Sequence, residues 1–288
     1  MTPAVLALAL AAQSLTGVVD IHAHSGPDSV ERSIDSLELA KLARQRGFRA
    51  IVLKNHYEPT AALAGLARKA APGLEVFGGI ALNRTVGGLN AAAVERMTRV
   101  EGGYGRVVWM PTFDAENHVR IARENRPSAP VARNGALLPE TLAILDLIAR
   151  HNLVLATGHS SPAEALLLVR EAKKRGITRI VVTHALLHEV GMSIDQAKQA
   201  AAEGAYLEFV SNALLGYTKE AEPAAYARAM REIGFDHCIL SSDLGQARNP
   251  SHPDGLQSVF AMLRREGLTV GQIEQMAKTN PARLLGLP

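Results

Sequence analysis

The chain has 288 residues, 47% of them hydrophobic and 20% charged, with 24 glycines and 14 prolines; this composition excludes a disordered, collagen-like or disulfide-framed protein. A formal charge of only +3 argues against a nucleic-acid-binding surface. The lone cysteine, Cys238, can form no internal disulfide and is expected to pack as a small hydrophobe in a reducing, cytoplasmic setting.

In chain order, the first apolar stretch, VLALALAA within residues 3–12, lacks the basic flank of an export signal and falls short of the ~20 residues a membrane span needs. A helical lead-in over residues 1–17 that flanks or plugs the first strand is expected instead. Apolar runs bounded by turn residues then predict eight strands, at 18–24, 50–56, 75–82, 106–111, 153–159, 179–184, 205–211 and 238–243. Most are apolar nearly throughout, as strands covered on both faces are. Helical patterns occupy 33–46, 59–71, 89–99, 139–151, 161–175, 193–203, 219–233, 255–265 and 270–278. Ser161 with Glu164 and Ser193 with Gln196 have capping-box spacing, and Gly47, Gly176, Gly204 and Gly234 each stop a helix shortly before the next strand. Strand and helix alternating eight times predict an α/β fold, a single-domain (β/α)8 TIM barrel over residues 1–288, with an open doubly wound sheet as the alternative. The long gap at 112–138 carries Arg120, Arg123, Arg126 and Arg133. It is expected as a loop over the barrel mouth, either a lid whose arginines meet an anionic group or a solvated segment or oligomer contact.

The stretch VVDIHAHSGPD at 18–28 sets Asp20, His22 and His24 at alternate positions, which a strand carries on one face. His-x-His alone is a weak signal for a metal. Four later strands, however, end in Lys54 with His56, in His159, in His184 and in Asp243, and a barrel gathers such ends at one mouth. Five of the ten histidines thus lie at strand ends, while His118, His151, His188, His237 and His252 fall in loops or helices. Asp243, after Ser241 and Ser242, offers the oxygen ligand and proton acceptor of a hydrolytic metal site. The alternative, a helix N-cap after strand eight, is the weaker reading, because it would not require Ser241 and Ser242.

His22-Ala23-His24, His159, His184, Asp243 and the closing stretch from Asn280 to Leu287 together resemble the amidohydrolase superfamily, in its order and over almost the whole chain. DIHAHSGPD, IVLKNHYEPT and the run from VFGGIALN to GGLN further resemble an uncharacterised amidohydrolase-related branch. The resemblance implies that His22, His24 and Asp243 bind one divalent metal, and that His159 and His184 bind a second or orient substrate. The ion implied is zinc, with manganese or cobalt as alternatives. Strand four, RVVWMPTFD, departs from the superfamily by offering neither the bridging lysine nor the glutamate of many binuclear members. Lys54 takes that place in this reading, carbamylated and bridging, or else held as a cation facing substrate.

The implied activity is hydrolysis of an amide or cyclic amide C–N bond in a small, anionic molecule, with Asp243, His184 and Lys54 catalytic and His56, Arg84 and Arg133 on the substrate. A lactonase, phosphoesterase or non-oxidative decarboxylase is the alternative within the superfamily, and a metal-binding barrel without turnover the alternative outside it. Asp28, Asn83, Glu208 and Asn212 line the pocket or make local pairs. The only partner expected is a small-molecule substrate, without nucleic acid or membrane; superfamily relatives leave a homo-oligomer open.

Overall fold

A strand that meets helices on one side and a filled barrel on the other needs no polar face, and the apolar runs fold accordingly. The protein is described by a computed structural model over residues 13–217 and 219–288. Its strands are β1 (Val19–Ala23), β2 (Ala50–Leu53), β3 (Glu75–Ala81), β4 (Gly105–Trp109), β5 (Ala132–Arg133), β6 (Ala136–Leu137), β7 (Val154–Ala156), β8 (Ile180–Val182), β9 (Tyr206–Val210) and β10 (Cys238–Ser241). All but β5 and β6 form one parallel eight-stranded sheet in chain order. The circle closes just past the strand ends, where Asp243 N–H donates to His22 O at 2.8 Å and His24 N–H to Leu244 O at 2.9 Å. The fold is a single (β/α)8 barrel, and the open sheet is excluded.

The covering helices are α1 (Ser36–Gln45), α2 (Ala61–Ala70), α3 (Ala91–Thr98), α4 (Glu116–Ile121), α5 (Pro139–Arg150), α6 (Pro162–Lys174), α7 (Ile194–Ala202), α8 (Asn212–Leu215), α9 (Pro223–Ile233), α10 (His252–Arg265), α11 (Val270–Glu274) and α12 (Asn280–Leu285). Both expected capping boxes form, and Thr269 with Gln272 makes a third. None of the described helices is long and apolar enough to cross a membrane.

The core has two parts. Residues such as Ile51, Leu53, Val108, Leu155 and Leu240 pack outward against the helices. Val19, Ile21, Ala50, Val52, Phe77, Trp109 and Ile239 fill the barrel, together with Ala282, Leu284 and Leu285 of α12. The plug is therefore the C-terminal helix. Of the expected N-terminal lead-in, residues 13–17 are coil and turn, and the remainder lies outside the described residues.

Two further expectations are corrected. Asp20, His22 and His24 do not share a face: Asp20 pairs with Ile51 and Ala23 with Leu53, so β1 takes three steps where β2 takes two. This bulge leaves Asp20 on the side of the helix-facing Ile51 and turns His22 and His24 into the barrel, re-aiming side chains as bulges near sites do. The segment 112–138 is not a structureless loop either. It folds into α4 and the β5–β6 hairpin, and Asn117 ties it down through Nδ2 to the carbonyls of His159 and Glu189, at 3.1 and 2.8 Å.

Candidate active site

The hydrogen-bonded strands end earlier than the apolar runs do, and the residues just beyond them turn into the mouth. Lys54 follows β2 directly, His159 lies three residues past β7, and His184 and Asp243 each lie two past β8 and β10. His184 and Asp243 both hold positive φ, 25° and 49°, a conformation that costs a non-glycine residue about 1–3 kcal/mol and collects at functional positions. Gly158 does the same at lower cost. With φ at 60° it lets the backbone before His159 approach Met110 O so closely that a Cβ would lie 2.2 Å from it.

His22 Nε2 and His24 Nε2 lie 3.0 and 3.1 Å from a single oxygen, Asp243 Oδ1. Their other ring nitrogens are committed: Glu208 Oε1 accepts from His22 Nδ1 at 3.0 Å, and the Lys54 carbonyl accepts from His24 Nδ1 at 3.1 Å. Glu208 is itself held by Ser241 Oγ at 2.8 Å and by the His184 N–H at 3.0 Å. Both imidazoles therefore aim an Nε2 at the carboxylate. A carboxylate this close to two imidazole nitrogens needs positive charge among them, which a protonated His22 or Lys54, whose Nζ comes within 2.9 Å of His22 Nε2, supplies.

Burial opposes charge on His22, but Asp243 and Glu208 on its two nitrogens outweigh it and push its pKa up to about 9. Burial also raises the Asp243 carboxyl, yet His22 and His24 hold it well below the usual carboxylate range. Burial takes His24 down to about 3 and Lys54 down to about 8, the latter against the pull of Asp243 and Glu208.

Among the described histidines, cysteines and acids, His22, His24 and Asp243 form the one cluster with metal-ligand spacing, their ligand atoms all within 4.8 Å of one another. Donors about 2.1 Å from one ion at near right angles would stand ~3 Å apart, so these residues fit a divalent cation. His184 Nδ1 is buried without a partner nearby, as an uncommitted ligand would be. The His184 ring lies 4.9 Å from that of His159 and 6.1 Å from that of His22.

His24, Lys54, His56, His159, His184 and Asp243 line a cavity of about 360 Å³. His56 is fixed by Thr112 Oγ1 at 2.8 Å, and Thr112 in turn accepts from Asn83 Nδ2 at 2.7 Å. Phe113 sets its ring centroid 4.2 Å from His56, tilted by 37°, and stands edge-on to His159. The outer wall holds Arg32, Tyr57, Glu189, Asn212 and Gln246. Arg84 and Arg133, expected at the substrate, are not on this cavity. Both are exposed and line a second groove with Gly87, Ala129 and Leu138.

Sequence reasoning missed Arg32 and His118, and read no role into Glu208 beyond the pocket wall. Glu208 was signalled by a carboxylate inside the apolar strand YLEFV. His118, on α4, brings its Nδ1 to 3.1 Å from His159 Nδ1, a contact that only the folded insertion creates.

The profile of a family of unknown function, DUF6282, matches residues 17–208. The chain belongs to the DUF6282 family. The DUF6282 match takes in His22, His24, Lys54, His159, His184 and Glu208 and stops short of Asp243. No curated protein sequence matches the chain. Three solved structures share the barrel of this DUF6282 member. An organophosphorus hydrolase from Deinococcus radiodurans is 18% identical, with 96% of this chain and 94% of that chain covered at a TM-score of 0.62. An N-acetyl-D-glucosamine-6-phosphate deacetylase from Mycobacterium smegmatis is 19% identical over 95% and 77%, at 0.61. An amidohydrolase from Pseudomonas aeruginosa is 13% identical over 94% and 95%, at 0.62. At these identities the likeness is one of fold.

Proposed function

We propose that this DUF6282 protein is a cytoplasmic, metal-dependent hydrolase of the amidohydrolase type that cleaves an amide or cyclic amide C–N bond in a small, anionic molecule. The observation that carries the reading is the cluster of His22, His24 and Asp243, two of whose members, His24 and Asp243, open on a cavity also lined by Lys54, His159 and His184. The names of the structural neighbours, an organophosphorus hydrolase, a deacetylase and an amidohydrolase, support hydrolysis as the class. Lactones and phosphoesters are the second substrates to test.

A divalent ion, with zinc first and manganese or cobalt as alternatives, would polarise a carbonyl and lower the pKa of a water toward neutrality. The chain's own groups do the rest. Asp243, ionised and 3.0 Å from His22, accepts a proton from the attacking water and returns it to the leaving nitrogen. Glu208 keeps His22 in the tautomer that presents Nε2. His184 and His56, on the cavity wall, would stabilise the developing oxyanion, and Phe113 packs against His56 and His159. Because burial draws Lys54 down to about 8, its neutral amine is accessible near neutral pH, and that is the form CO₂ carbamylates. A carbamylated Lys54 with His159 and His184 would hold a second ion.

The test is metal content per chain, by elemental mass spectrometry on protein purified with bicarbonate, for the parent and Lys54→Ala, followed by a screen of cyclic amides, lactones and phosphoesters. Two equivalents falling to one or fewer in the variant support the bridged site, whereas one equivalent in both assigns Lys54 to substrate. No metal in either sinks the hydrolase reading and leaves a binding protein. On any substrate found, Asp243→Asn is expected to cost about 10²–10⁴ in turnover, and parental rates would remove the proton-shuttle role.

A further inference from the structure

The loop that follows β1 crosses the mouth of the barrel and is pinned to the loop that follows β10. Ser33 N–H donates to Gly245 O at 2.9 Å and Arg32 bridges to Gln246 in antiparallel fashion, while Gly26 N–H, donating to Ile34 O at 2.8 Å, closes the β1 loop on itself. Arg32 is thereby set opposite Gln246, three positions along the chain from Asp243. Its side chain is 7% exposed, and Asp28, with no exposed side-chain surface, takes both Nε and Nη2 onto Oδ2 at 2.7 Å each. A buried ion pair contributes little to stability compared with apolar packing, so its place on the wall of the histidine cavity calls for another reason.

The geometry supplies one. Asp28 occupies the side edge of the guanidinium and fixes its plane. The end edge is left: Nη1 has no protein partner among the described residues, and Nη1 with the second Nη2 proton forms the two-donor fork that receives a carboxylate. Arg32 and Lys54 are the cations on the cavity, and Lys54 is engaged with His22.

We propose that Arg32 is the receptor for a substrate carboxylate, so that the molecule turned over here is a small carboxylic acid and not a phosphate ester. The proposal rests on the hydrolase reading for the word substrate. Paired with Asp28, Arg32 offers directed donors but no net charge, which suits a monoanion. Glu189 lines the same cavity with Oε2 buried and unpartnered, and the Arg32–Asp28 pair carries no net charge, so the second negative charge of a phosphate dianion finds no partner at this receptor.

The test compares N-acetylglycine with its neutral isostere N-acetylglycinamide and with inorganic phosphate, by calorimetric or NMR titration of the protein as purified and of Arg32→Met, with metal content measured on every sample. The parent is expected to bind the acid at least about tenfold more tightly than the amide and more tightly than phosphate, and Arg32→Met to lose that preference at unchanged metal content. Three results overturn the proposal: no acid preference in the parent, which needs no variant to observe; a preference retained in Arg32→Met, which assigns the carboxylate to the metal; or tighter binding of phosphate. An acid preference in protein devoid of metal would uphold the receptor and reject the hydrolase reading, and metal without the preference would do the reverse.

Discussion

At the scale of single residues, the site depends on groups that hold other groups. Glu208 touches no open space in the cavity, yet it orients His22 and binds the His184 amide through its second oxygen. Glu208→Gln keeps the shape but weakens the hold on the His22 tautomer, and is expected to lower metal affinity by about 10–100-fold, measured by competition with a chelator. Affinity equal to the parent's would reduce Glu208 to a packing residue. Cys238 illustrates the opposite case, a group with no role in the site. Burial pushes its thiol up from 9.0 to about 12, so above pH 9 the unfolded chain releases a proton that the folded chain keeps. Its contribution to stability is full below pH 9 and is lost as the pH rises toward 12. In denaturant titrations the parent should therefore lose stability relative to Cys238→Ala across that window, and a constant difference would refute it.

Elements contribute by where they stop. Polar residues follow immediately on the apolar runs of β2, β7, β8 and β10, and the shortened ladders free the backbone to turn those side chains inward. The barrel's other end is closed by α12, whose Leu285 is fully buried among Val19, Phe77 and Ile239. Leu285→Ala should cost about 2–5 kcal/mol in the denaturation midpoint at unchanged slope, with metal content intact because the plug lies opposite the mouth. The repeat of strand and helix was legible in the sequence, since apolar period and capping are local properties: the boxes at Ser161 and Ser193 form as their spacing implies. The plug was not, because nothing in NPARLL distinguishes a helix that seals a barrel from one that lies on its surface.

For the whole molecule, the His22, His24 and Asp243 cluster joins residues from β1 to the turn after β10, so an ion bound there would tie the first strand to the last. Zinc at about 100 times its Kd should stabilise the parent by roughly 2.7 kcal/mol, with EDTA reversing the effect and His24→Ala abolishing it. Equal stabilisation of both proteins in thermal scans would move the ion elsewhere. By itself the sequence determined the eightfold alternation, the histidines and aspartate at the strand ends, and hence the mouth at which they meet. These follow from periodicity and chain direction, which are written locally. The tertiary structure alone decided the bulge that parts Asp20 from His22 and His24, the approach of His118 to His159, and the choice of Arg32 over Arg84 and Arg133 as the cavity's guanidinium. Register between strands and the docking of one loop on another are set by contacts between residues far apart in the chain, and no local pattern encodes them.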